Sequence, residues 1–443
     1  MPDDKDRPPG RAVPSSRLAR LLRFGGLATG VAGGMLLDGV NQFAQGKRPG
    51  LGELLLTPAN AIKITHQLAQ LRGAAMKVGQ LLSLDAGDVL PPELTAILAR
   101  LRADAEPMPQ GQVRAVLSGD WGRDWQVRFE TFSFHPIAAA SIGQVHRGRT
   151  KDGRELAIKI QYPGVRDSID SDVRNVAALM RLSGLLPARL EIAPILAEAR
   201  RQLHEEADYL REGDRLRQFC NLLAASPEFV VPALHPDLTS RNVLAMSYVD
   251  GIPLERLGAA PQAERDRVMT LLIGLVLREL FEFNLMQTDP NFANYHYNTG
   301  TGQLVLLDFG ATRAFPPEMA PHCRRLLQAG LARDRVAVRN AAIAIGFFAA
   351  RTPQRHQDAV MALIEMALGP FCFEGAYDFG QSDLASRLRD GGMAIAAERD
   401  FVHLPPMDML YLQRKVGGMF LLASRLKARV NVGALLEPFL RAS

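Results

Sequence analysis

The sequence predicts an α+β fold in two lobes with a helical extension ahead of the first. Three observations lead there. The segment "ELAIKIQY" at 155–162 alternates with a period of two, as a strand does. Further on, "NYHY" and "QLVLL" flank "NTGTG", a hairpin signal. Most of the remaining chain carries apolar residues at helical spacing. Strands early and helices late, with one hairpin among the helices, is the order of a sheet with helices segregated from it. The 443 residues, 47% hydrophobic, are enough for two or three lobes.

Four regions follow in order. Residues 1–50 form a basic, glycine-rich arm: Lys5, Arg7, Arg11, Arg17, Arg20 and Arg23 against Asp3, Asp4 and Asp6, then the uncharged "FGGLATGVAGGMLL". A spanning helix needs about 20 apolar residues, and the early aspartates argue against a signal peptide. Two readings stand for this arm: one that docks on its own domain, and a segment at a membrane surface. Residues 51–108 read as helical, with Thr57-Pro58 opening one helix and Pro91-Pro92 another. Residues 109–250 mix strands and helices. Residues 251–443 read as helical apart from the one hairpin.

Composition removes several function classes. The net charge of +5 comes without a Lys/Arg block or interleaved aromatics, so nucleic acid is not an expected partner. Cys220, Cys323 and Cys372 lie far apart with no C-x-x-C pair, which argues against a disulfide framework or a zinc site and for a reducing compartment.

Most of the chemistry-bearing residues lie in the last two regions. "HPIAAASIGQVHRG" at 135–148 reads as a loop over phosphates, yet Ala138, Ala139, Ala140 and Ser141 stand where such a loop normally has glycines. Each Cβ restricts positive φ and close approach of backbone N–H groups, so the loop should be stiffer, with Ser141 and Gln144 as its polar contacts. In the strand that follows, the period of two puts Ala157 and Lys159 on one face and Leu156, Ile158 and Ile160 on the other. A small residue beside an adenine and a lysine reaching the α/β-phosphates is the A-x-K arrangement of a kinase. That lysine needs an anionic partner, and "LAEARRQLHEEADYLREGDRLRQF", read as one long helix, offers Glu205, Glu206, Asp208 and Glu212.

Beyond an apolar helix the chain reads "QTDPNFANYHYNTGTGQLVLLDFG". Asp289 and Asn294 are five apart (294 − 289), and Asp308 opens Asp-Phe-Gly 14 residues later (308 − 294). A kinase catalytic loop has this spacing because the asparagine and the second aspartate meet at Mg²⁺ on the ATP phosphates. One carboxylate and one amide are a sensible protein contribution to a hard ion that keeps several waters. The ordered set predicts a two-lobed kinase-like fold that binds ATP and Mg²⁺, with Asp289 orienting the nucleophile. By analogy "VLAMSYVDG" is the hinge, with Met246 as gatekeeper and the adenine held by backbone at Ser247 and Val249.

Taken together, "RLARLLRFGGLATGV", the K-x-G-Q in "LRGAAMKVGQLLS", "AAASIGQVHRG", the E-x-D in "EEADYLRE", "QTDPNFANY" and "LLDFGATR" resemble the UbiB family of atypical kinase-like proteins, over nearly the whole chain from residue 17 onward. The resemblance implies that the K-x-G-Q helix lies over the active site, that Lys77 pairs with Glu206 and Asp208, and that Glu212 partners Lys159. Lys77 and Gln80, at i and i+3, share a helix face. No Ala-Pro-Glu follows Asp-Phe-Gly, and "ATRAFPPEMAPHCRRLLQAG" goes almost directly into a helix, so the segment on which kinases hold a peptide is missing. Thr288 precedes Asp289 where typical kinases carry arginine.

Two functions are then expected in contention. One is an enzyme that moves the γ-phosphoryl group of ATP to water or to a small lipid-like acceptor, in support of ubiquinone biosynthesis on the cytoplasmic side of a bacterial inner membrane. The other is a nucleotide-gated scaffold or lipid-binding module for quinone-biosynthesis enzymes.

Overall fold

The computed structural model describes residues 77, 107–182, 192–397 and 405–441. The arm at 1–50, all of the 51–108 extension except Lys77 and residues 107–108, and with it Gln80, lie outside the described residues. The chain divides into two compact units, one of residues 1–213 and 234–248, the other of 214–233 and 249–443.

The first unit is built on an antiparallel four-stranded sheet. Its strands are β1 (Phe129–Ala139), β2 (Gly143–Thr150), β3 (Glu155–Gln161) and β4 (Val243–Ser247), in that spatial order. The expected alternation in β3 holds: Leu156, Ile158 and Ile160 are fully buried, each contributing about 1.5–3 kcal/mol. They meet helix α1 (Gln110–Trp121) through Val113, Leu117 and Trp121. Trp121 stacks on Phe129 at 5.5 Å, and its indole N–H donates to the Leu238 carbonyl at 3.0 Å, which satisfies the one polar atom that this burial would strand. Helices α2 (Val165–Leu182), α3 (Ile192–Glu206) and α4 (Tyr209–Leu222) follow β3.

Two sequence expectations are corrected in this unit. The acidic run is two helices, because Asp208 ends one and starts the other: its Oδ1 accepts the Arg211 N–H at 3.2 Å, the third position of α4, as an N-cap does. The alanine-rich stretch is mostly strand. Ala138 and Ala139 pair with Val145 and Gln144 in the β1–β2 ladder, leaving a turn at Ala140–Ile142 that is closed by Ala140 N–H to the Gly143 carbonyl at 2.9 Å.

The second unit is helical around α5 (Gln262–Arg278), where Val268, Met269, Leu272, Ile273, Leu275 and Val276 are all buried. A π-helical turn, Glu279–Phe283, extends α5 and ends at Asn284 in the left-handed region, φ 47°. Short strands are more numerous than the single hairpin the sequence indicates. Besides the hairpin of β7 (Tyr295–Asn298) and β8 (Gln303–Leu306), a two-residue β5 (Ile252–Pro253) flanks β7, and Phe229–Val230 runs parallel to β8. A ribbon of β6 (Leu285–Gln287) and β9 (Thr312–Ala314) forms as well. These pairings involve two or three residues, too few for periodicity to register. Helices α6 (Met319–Leu331), α7 (Arg335–Ile345), α8 (Gln354–Cys372), α9 (Leu384–Ala397), α10 (Met407–Arg425) and α11 (Val432–Arg441) complete the unit. Among the described residues no helix is long and apolar enough to cross a membrane.

Candidate functional site

In the first unit, Lys159 comes off β3 and Glu212 off the first turn of α4. Nζ lies 2.8 and 3.0 Å from the two carboxylate oxygens, with both side chains nearly sequestered from solvent, and 5.3 Å from the Tyr209 ring centre. Of the four carboxylates available by sequence, the structure selects Glu212. Ala157 sits two residues earlier, opposite Met246 of β4, which is 5% exposed. Ser247 meets His235 Nε2 at 3.0 Å through its hydroxyl. Val249 opens the second unit's share of the same stretch.

Lys77 is helical and buried, and its ammonium pairs with Glu206 Oε1. The second Glu206 oxygen accepts the Ser141 hydroxyl at 2.8 Å. One carboxylate thus carries both the extension's lysine and the turn of the alanine-rich stretch. This corrects the sequence reading twice. Ser141 is engaged with Glu206, and Asp208 caps α4, leaving Glu206 as the Lys77 partner that forms. Gln144, expected near phosphates, is instead 1% exposed. Its Oε1 accepts the Met108 N–H and its amide nitrogen meets His146 Nε2, both at 2.8 Å. His146 in turn meets the Ser133 carbonyl through Nδ1, and burial lowers its pKa against that bond, so the ring stays neutral and Nε2 can accept. Gln144 and His146 are thus a buried polar chain that ties β1 and β2 to the segment entering α1.

In the second unit, the catalytic-loop residues lie between β6 and β7. Asn294 Nδ2 donates to the Asp289 carbonyl at 3.1 Å and to Asp289 Oδ2 at 3.3 Å, which leaves the amide oxygen as the available ligand atom. Asp308 Oδ1 accepts the Gly310 N–H at 2.9 Å. Phe309 is buried and packs on Phe219 at 4.8 Å, so the Asp-Phe-Gly backbone is held by its aromatic residue. A carboxylate and an amide oxygen are hard donors of the kind Mg²⁺ takes, with the remaining positions left for waters and phosphate. Downstream, β9 starts at Thr312 and α6 at Met319, so the chain passes from Asp-Phe-Gly almost directly into a helix.

Several residues of this unit were not indicated by any motif. Arg414 of α10 donates to Asp289 Oδ1 at 2.7 Å. Its neighbour Lys415 is buried beneath the loop, bonded to Tyr295 Oη at 2.9 Å and Gln287 Oε1 at 3.1 Å, with Glu279 Oε2 at 3.5 Å. Glu279 Oε1 also accepts the Gln287 N–H at 3.2 Å. Burial raises the pKa of Glu279 despite Lys415; burial also works against the Lys415 ammonium, but Glu279 and Tyr295 outweigh it and its pKa ends raised. The one sequence signal for this cluster was two adjacent cations, Arg414-Lys415, in a helix otherwise apolar enough to be buried.

The profile of the ABC1 atypical kinase-like domain matches residues 100–342, more than half of the chain. The chain belongs to the ABC1 atypical kinase-like family. The UbiB resemblance read from the motifs is thereby borne out, as is an atypical kinase-like enzyme rather than a conventional protein kinase. Among the relatives of this ABC1 family member is atypical kinase COQ8B, mitochondrial, of Rattus norvegicus, 40% identical over 440 residues that span 97% of this chain and 81% of the relative. Atypical kinase COQ8, mitochondrial, of Saccharomyces cerevisiae is 36% identical over 439 residues, 98% of this chain and 87% of the relative. In fold, the ABC1 chain is similar to Rv3197 of Mycobacterium tuberculosis, solved as a complex with erythromycin. The TM-score is 0.60 at 24% identity, over 87% of this chain and 97% of that one.

Proposed function

We propose that this chain binds ATP with Mg²⁺ and transfers the γ-phosphoryl group to water or to the hydroxyl of a small lipid-like acceptor, in support of ubiquinone biosynthesis at a membrane surface. The buried Lys159–Glu212 pair carries the reading: an ammonium aimed by a carboxylate, on a strand face shared with Ala157, is built to meet phosphate oxygens. Asn294 and Asp308 offer the metal its two protein oxygens, and Asp289 orients the attacking oxygen or takes its proton. The turn at Ala140–Ile142 covers the phosphates with its backbone, since both polar side chains once expected there are occupied. The ubiquinone assignment follows the family and its COQ8 relatives, and so does the expectation that quinone-biosynthesis enzymes are partners.

The Lys77–Glu206–Ser141 contact favours a second reading, a nucleotide-gated module in which the shape of the turn reports the nucleotide state to partner proteins without phosphorylating them. The test separates the two. Asp308→Asn should abolish the Mg²⁺-dependent part of the ATP thermal shift, and hydrolysis in the parent should rise with anionic liposomes or a phenolic quinone-precursor analogue. Equal shifts in mutant and parent would remove the metal assignment. Hydrolysis that is flat with both additions, beside an intact Mg²⁺-dependent shift, would favour the gated module.

A further inference from the structure

Asp289 is held from a helix outside every kinase-like motif of the chain. Arg414 reaches it from α10, 125 residues downstream, with the two side chains 9% and 20% exposed. In a typical kinase catalytic loop, arginine immediately precedes the aspartate. Here Thr288 has that place, is 2% exposed, and donates its hydroxyl to the Ala311 carbonyl at 2.7 Å, pinning the backbone just after Asp-Phe-Gly. The position that elsewhere supplies a guanidinium supplies a backbone anchor, and a guanidinium arrives from α10, on the carboxylate itself.

The rest of that helix face packs on the loop and on the β6–β9 ribbon beside it. Arg313 of β9 lies over the Tyr411 ring at 4.2 Å, three residues before Arg414. Gly418, four residues after it, lets the helix close on the loop: a Cβ there would stand 2.2 Å from Pro290 Cγ. A loosely tethered surface pair would be worth little, but Arg414 is 9% exposed and leaves α10 between these two helix contacts.

Resting on the reading of Asp289 as the residue that acts on the nucleophile, we propose that Arg414 is the positioning residue for that carboxylate. It fixes Oδ1 while Asn294 fixes the other side, and the lone pairs left on Oδ2 face the acceptor hydroxyl or water. Misplacement of a reacting group by about 1 Å costs on the order of a hundredfold in rate, so the effect belongs in turnover, not in nucleotide binding.

The test uses the full chain with Arg414→Gln, Arg414→Lys, Asp289→Asn and the Arg414→Gln/Asp289→Asn double variant. Phosphate release from MgATP gives kcat and KM, and the MgATP thermal shift reports binding. Arg414→Gln should lower kcat by about tenfold or more, with KM and the MgATP shift within about twofold of the parent, and Arg414→Lys should fall in between. The double variant should be no slower than Asp289→Asn by more than about twofold, because Arg414 acts through that carboxylate. Unchanged kcat in a folded Arg414→Gln, a KM that rises in step with the kcat loss, or multiplicative losses in the double variant would each overturn the proposal. If the glutamine variant does not fold, a kcat for Arg414→Lys equal to the parent's overturns it equally, and an intermediate one supports it. Should Asp289→Asn itself hydrolyse ATP at the parental rate, the assignment of Asp289 fails, and it fails separately from any effect at Arg414.

Discussion

Replacing Lys415 by methionine should be among the most damaging single changes in the second unit, although the residue touches no substrate. The ammonium has three neighbours: Tyr295 Oη at 2.9 Å, Gln287 Oε1 at 3.1 Å and Glu279 Oε2 at 3.5 Å. Lys415 and Glu279 are 2% and 1% exposed, so water cannot take the place of the lost charge. Two hydrogen bonds from a charged donor are worth about 1.5–3 kcal/mol each. Methionine returns some packing and removes the cost of burying an ammonium, so the net loss should be about 3–5 kcal/mol, the usual cost of breaking a buried pair. Thermal unfolding should show this as a fall in Tm of roughly 10 °C. Two controls identify the cause. In the Lys415→Met/Glu279→Gln double variant at least about 2 kcal/mol should return, because no buried charge is left unpaired. The pH dependence has a definite sign: Glu279 is a group with a raised folded-state pKa, so burying it disfavours the folded state as pH rises above the ordinary glutamate value of 4.5. The penalty of Lys415→Met should therefore shrink as pH falls toward that value. A loss below about 1 kcal/mol at neutral pH, or no recovery in the double variant, would refute the reasoning.

Two further outcomes follow from the geometry. Gly143→Ala would set a Cβ 2.3 Å from the Ile160 carbonyl oxygen and 2.9 Å from Tyr209 Oη, forcing β2 from β3 beside Lys159; a stability loss of about 1–3 kcal/mol with weaker nucleotide binding is expected, and a parental melting curve would count against it. Burial pushes the Cys323 thiol up to about 12, so alkylation of the native protein at pH 8.5 should spare it until unfolding, and early labelling of Cys323, located by peptide mass mapping, would contradict this.

What the sequence disclosed depended on how local the signal was. The β3 alternation, the hairpin at Asn298–Gly302 and the five-residue spacing of Asp289 and Asn294 are each written within a few residues; the first two took the form expected, and Asn294 bonds Asp289. Lys159 and Glu212 lie 53 apart, and only the resemblance chose among four carboxylates; the geometry agrees with that choice. The alanine stretch misled because alanine carries no β signal, whereas the ladder to Val145 and Gln144 is set by pairing with β2. Gln144 and Ser141 have partners that the sequence did not announce, because a polar residue near a presumed phosphate loop gives no sign that a backbone N–H or a carboxylate bonds it. Arg414 and Lys415 were missed because nothing in their neighbourhood refers to a loop 125 residues away.

The contacts of α10 bear on how alleles of this gene would read. A stop codon just before Met407 would leave every recognisable kinase-like motif in the translated chain, from Lys77 to Asp308. It would nevertheless take away the arginine on Asp289, the lysine under Tyr295 and Glu279, and Arg425, which lies over the Phe292 ring at 5.3 Å. Geneticists scoring variants by intact motifs would pass such a truncation as mild, whereas the chain it encodes should behave as a null.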